Sequence, residues 1–124
     1  METAKTTDVF TIERHGDLRL FIATPALEKI DAALEPHVAS VLLSPLKDTD
    51  TPLVLFDLGS VDYFGSMFLS VLLRCWKLTN SKGGMMALCG VSAHAKELLR
   101  VTALDIIFPM YPTRQEAMEA LLSD

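Results

Sequence analysis

The run from Leu53 to Leu73, LVLFDLGSVDYFGSMFLSVLL, constrains this chain more than any other stretch. Leu53–Leu58 is apolar apart from Asp57, the pattern of a strand buried on both faces. A short loop follows, and from Ser66 to about Asn80 the apolar residues recur with helical spacing. A doubly buried strand leading straight into a helix suits an α/β layer, a sheet backed by helices.

The rest of the chain agrees. Val9–His15 and Leu18–Ala23 alternate apolar with polar or small residues around Gly16-Asp17, which predicts a hairpin. Leu27–Asp31 reads as a brief extension along the sheet after Pro25. A first helix is expected from about Leu34 to Leu43, with Pro36 in its opening turn, where the missing N–H costs little. Pro45 and Lys47–Thr51 then read as a connection. Gly83-Gly84 close the second helix before a strand at Met85–Cys89. Ser92 is placed to cap a third helix reaching about Val101, and Ile106–Met110 reads as a last strand. Thr113-Arg-Gln-Glu116 is a capping box for a terminal helix with Ala117, Met118, Leu121 and Leu122 as its apolar stripe. The reading is one compact α/β domain over residues 9–124, a mixed β-sheet with helices packed on it, preceded by a flexible tail at residues 1–8.

Composition excludes several functions. A net charge of −5 with scattered Lys and Arg does not suit a nucleic-acid surface. No apolar run approaches a membrane span and residues 1–8 lack the apolar core of a signal peptide, so no membrane association and a cytoplasmic location are expected. Cys75 and Cys89 are too few for a disulfide scaffold and read as packing residues. His15, His37 and His94 have no ligand spacing, and no metal or cofactor is expected.

Projecting the second helix at 3.6 residues per turn puts Ser70, Arg74, Lys77 and Ser81 on one polar stripe. Phe68, Leu72, Cys75, Trp76 and Thr79 point toward the core. Ser66, Met67 and Leu73 flank the polar stripe. Serine at a helix start has an ordinary use as N-cap, contributing about 1 kcal/mol. It also sets a hydroxyl at the positive end of the helix dipole, where a phosphate is well tolerated.

Beyond these patterns, the chain resembles the STAS domain family of bacterial anti-sigma factor antagonists. The resemblance rests on Val-Leu-Phe-Asp57-Leu-Gly-Ser-Val, on Lys82-Gly-Gly-Met-Met-Ala-Leu-Cys-Gly-Val-Ser92, on Leu98–Phe108 and on Thr113-Arg-Gln-Glu-Ala117. Upstream, Ile30-Asp31-Ala-Ala resembles the family's Leu-Asp element. The resemblance implies a partner switch rather than an enzyme. In that scheme the unphosphorylated protein binds an anti-sigma factor that is also a serine kinase. The kinase phosphorylates the first serine of an Asp-Ser-Ser-Gly motif, and a metal-dependent serine phosphatase reverses this. Carried onto this chain, the acceptor falls on Ser66, within Gly65-Ser66-Met67-Phe68. The expected partner surface comprises Gly65, Ser66, Met67, Ser70, Leu73 and Arg74, with Asp31 and Asp57 added through the resemblance.

Other readings fare worse. A response-regulator receiver needs an acidic pair after its first strand and a lysine ending its fifth, whereas this chain offers Arg14-His15 and Phe108-Pro109. Asp57 then reads as a loop-fixing carboxylate. No Gly-x-Ser-x-Gly surrounds Ser66, no phosphate-cradling glycine loop is present, and His94 reads as a solvated surface residue. The alternative within the family is a STAS docking module that never accepts phosphate and serves a larger signalling assembly.

Overall fold

Strands apolar on both faces need cover on both, and the chain supplies it unevenly. A computed structural model describes residues 5–6 and 9–123. Its strands are β1 (Lys5–Thr6), β2 (Phe10–His15), β3 (Leu18–Ala23), β4 (Leu53–Asp57), β5 (Met85–Cys89) and β6 (Met110–Tyr111). Its helices are α1 (Glu35–Lys47), α2 (Ser66–Ser81), α3 (Ala93–Val101) and α4 (Arg114–Leu122). The strands lie side by side in chain order in one mixed sheet. β1, β2 and β3 pair antiparallel and β3 to β6 pair parallel.

The register sorts the side chains. Phe21 is opposite Phe56, which is opposite Leu88; Leu20 is opposite Leu55, which is opposite Ala87. The first row joins the core under α1, α2 and α3, and the second joins a smaller core under α4. The β2–β3 hairpin turns through Gly16 at φ 63°, a left-handed conformation open to glycine at no steric cost. At Gly84 the demand is for space, since a Cβ there would sit 2.0 Å from the carbonyl oxygen of Pro52.

The predicted α/β class, the hairpin and β5 stand as read from sequence, and four local expectations need correction. Most of the flexible tail expected over residues 1–8 lies outside the described residues, but Lys5–Thr6 pairs with Ile12 and Thr11 as an edge strand. Leu27–Asp31 does not extend the sheet: Pro25–Lys29 is a 3-10 helix, whose first turn Thr24 caps by accepting from the N–H of Ala26. α1 does not stop before Pro45. Leu46 is fully buried, and Lys82 Nζ donates to the carbonyls of Lys47 and Thr49 at its far end. Packing and this distant cap offset the proline's missing hydrogen bond. Finally, Ile106–Met110 is not a strand. Ala103 takes a left-handed turn at φ 62°, Leu104–Ile106 forms a 3-10 turn, and β6 begins only at Met110.

Candidate functional site at the head of helix α2

The start of α2 is braced by aromatic rings and not by a polar cap. Gly65 is the N-cap in an extended conformation and has no side chain to accept from the first-turn N–H groups. Instead, buried Phe64 and Phe68 clasp the entry with ring centroids 5.0 Å apart, much as a hydrophobic staple does. Phe68 also meets Phe10 and Phe56 at 5.9 and 6.0 Å. The aromatic residue where the resembling motif has glycine therefore faces the core and leaves the surface free.

Ser66 is thus the first helical residue and not the cap, and its side chain is exposed. The capping role open to it on sequence grounds is not the one it takes. A hydroxyl here stands beside first-turn N–H groups at the positive end of a sixteen-residue helix. Negative charge added to it would be stabilised locally without disturbing the core.

The loop before α2 is held on both sides. The Asp62 N–H donates to Glu28 Oε2 at 2.9 Å, and the Ser92 hydroxyl donates to the Asp62 carbonyl. His94 Nδ1 lies 3.2 Å from Asp62 Oδ2, and its ring is stacked 4.6 Å from that of Tyr63. His94 is accordingly an exposed residue tied to the loop.

Beside Ser66 runs a groove of about 460 Å³ between α2 and the turn after α3. Ser66, Ser70, Leu73 and Arg74 line it, so the structure gathers these four expected surface residues in one place. Met67 is exposed on the same first turn, 38 % accessible, outside the lining. Arg74 Nη1 lies 3.4 Å from Glu35 Oε2, joining α2 to α1. Sequence reasoning placed Lys77 on the polar stripe without assigning it to the surface, and it missed Thr102 and Leu104. The missing signal was the left-handed turn at Ala103, a conformation that an alanine does not announce.

The two aspartates do not join this groove. Asp57 falls on the α4 side of β4, in phase with Leu53 and Leu55. Its Oδ1 accepts from the Gly59 N–H at 2.9 Å and its Oδ2 from Arg114 Nε at 2.8 Å, which is the loop-fixing role. Asp31 accepts from the Leu34 N–H at 2.9 Å and shapes the turn that opens α1. A larger cavity of about 630 Å³ runs along α4 past Met118 and Leu122, on the other face of the sheet. Both cysteines are buried, and burial pushes each thiol up to about 12. Among the described residues, no group of three or more His, Cys, Asp and Glu is placed to hold a metal ion. Among them, too, no helix is long and apolar enough to cross a membrane.

This fold has known counterparts. The STAS domain model matches residues 10–117, and the chain belongs to the STAS domain family. An anti-sigma F factor antagonist of Paenibacillus polymyxa is 34 % identical over 68 residues, covering 55 % of this chain and 58 % of the relative. The chain thus spans little more than half of that curated relative's length. The structure of an anti-sigma-factor antagonist (STAS) domain protein from Planctomyces limnophilus superposes with a TM-score of 0.83 at 30 % identity, covering 92 % of this chain and 98 % of that one. The anti-sigma factor antagonist SpoIIAA in its unphosphorylated form gives 0.75 at 10 % identity, with 90 % and 95 % covered, a likeness of fold. The architecture is that of the anti-sigma factor antagonists.

Proposed function

We propose that this STAS domain is a cytoplasmic partner switch of the anti-sigma factor antagonist type, written and erased at Ser66. In this reading the unmodified head of α2 binds an anti-sigma factor that is also a serine kinase. That kinase esterifies the Ser66 hydroxyl with the γ-phosphoryl group of ATP, releasing ADP, and a serine phosphatase hydrolyses the ester. The observation that carries the proposal is an exposed hydroxyl on the first residue of α2, beside first-turn N–H groups that Gly65 does not cap. Phosphorylation adds a charge of about −1.5 to −2, enough to disrupt close packing of a partner while the helix dipole holds the new group. The domain itself has no catalytic role in this scheme and needs no cofactor, nucleic acid or membrane.

The test is incubation with the cognate kinase and ATP, followed by mapping of phosphate by mass spectrometry. Modification at Ser66, absent from Ser66→Ala, is the expected result. A kinase that binds the domain and leaves Ser66 unmodified would overturn the switch. It would favour the second reading, a constitutive docking module, for which Gly65-Ser66-Met67-Phe68 in place of Asp-Ser-Ser-Gly is the supporting observation.

A further inference from the structure

On a chain of net charge −5, the groove beside α2 is cationic. Arg74 and Lys77 stand along it, and its described lining contains no carboxylate. Lys77 has no ion-pair partner among the described residues. Arg74 touches Glu35 at 3.4 Å with half its side chain exposed, a surface pair of the kind that contributes little. Between and below these cations the floor is apolar. Leu69 and Leu73 form a ridge at i and i+4, and Leu104 faces them from the other wall. Outside the lining, Val101 at the end of α3 is 61 % exposed and Ile106, two residues past Leu104, is 83 % exposed.

The dimensions narrow the occupant. From Ser66 to Lys77 the groove follows α2 for about 16 Å, roughly three helical turns. Two cations over a leucine floor are too few for a nucleic-acid backbone, and an open trough of this length is poorly matched to a small anion. An amphipathic helix fits, with its apolar positions on the Leu69–Leu73 ridge and its carboxylates toward the two cations.

We infer that the groove between α2 and the Thr102–Leu104 turn docks an acidic amphipathic helix of a protein partner, with carboxylates set over Arg74 and Lys77. This rests on α2 being the partner face, as proposed above, and adds the chemistry of what binds there. It also gives Ser66 a physical means of control. A phosphate at the groove's end places like charge beside an acidic ligand, so modification repels the helix that the two cations attract.

The experiment is an NMR titration of the isotope-labelled full chain with two synthetic helical peptides. Both carry leucines at i, i+4 and i+7; one carries glutamates between them and the other lysines. The glutamate peptide is expected to shift the amides of Leu69, Leu73, Lys77 and Leu104 and to bind at least about tenfold more tightly than the lysine peptide at low salt. The double variant Arg74→Glu, Lys77→Glu should reverse that preference while keeping the dispersed spectrum of a folded domain. Equal affinity for both peptides, shifts centred on the Met118–Leu122 groove, or no shifts at all would each overturn the inference. Ser66 phosphorylation is measured separately. A modified Ser66 beside an inert groove would sink the docking inference and leave the partner switch standing.

Discussion

On the face of the sheet covered by α1, α2 and α3, the strands contribute Phe10, Phe21 and Phe56, which meet Phe64 and Phe68 in a chain of ring contacts. On the face covered by α4 they contribute Leu18, Leu20, Leu55, Ala87 and Cys89 against Ala117 and Leu121. The first face is thick and aromatic; the second is one helix over small and medium side chains. Helix α2, which carries Ser66 and the groove, belongs to the thick face. Phe68, two residues from Ser66, fixes the helix start in that core. Modification of Ser66, as proposed, would therefore be read at the surface, since the helix beneath it has little freedom to shift.

The sharpest way to break this contrast is Phe56→Ala, which empties the centre of the ring cluster. It should cost about 3–5 kcal/mol of unfolding free energy by urea denaturation. A loss below about 1.5 kcal/mol would show that the cluster is not the stabilising centre. On the thin face, Leu121→Ala should cost about 2 kcal/mol, the low end for such truncations, and an equal or larger loss than Phe56→Ala would erase the distinction.

The helix caps allow a finer comparison. Ser92 Oγ accepts from the Ala95 N–H and also donates to the Asp62 carbonyl, whereas Thr113 Oγ1 accepts from the Glu116 N–H at the start of α4. Ser92→Ala should cost about 2 kcal/mol and Thr113→Ala about 1 kcal/mol, with the order checked by thermal melts. Ser66→Asp should leave stability within about 0.5 kcal/mol of wild type, because the residue is exposed and the charge lies at a helix N-terminus. The same variant should weaken partner binding in a calorimetric titration; unchanged affinity would remove this surface from the switch. Smallest of all is the response to a thiol reagent. Burial holds the Cys75 thiol near 12, and burial, with Asp57 adding to it and Arg114 opposing, holds that of Cys89 there too. Neither should label in the native domain at pH 8, and faster labelling of Cys89 would show that the α4 face opens first.

What the sequence revealed follows the range of the forces involved. β4, β5 and the starts of α3 and α4 were legible because their signals are local: an apolar run, a glycine stop, a capping hydroxyl with its partner three residues on. The start of α2 was legible from helical spacing, since Ser66 is not its cap. The far end of α1 was hidden because it depends on Lys82, 35 residues away from Lys47. The 3-10 turn at Leu104–Ile106 was misread because an apolar run looks like a buried strand, yet only Phe108 of Ile106–Phe108 is buried. At the site, helical periodicity exposed the stripe on α2 but not the opposite wall of the groove. Asp57 shows the same limit: its place on a strand end was readable, its ion pair with Arg114 was not.

The strand order has a consequence for the nascent chain. Each strand settles beside the one synthesised just before it, so the sheet can grow in the direction the ribosome delivers it, with no early strand waiting for a late partner. The lid over Leu18, Leu20 and Leu55 is different, because α4 follows every strand of the sheet in chain order. Until then one side of an otherwise finished sheet stands bare to water, and this is the interval in which a newborn molecule most needs shielding from its neighbours.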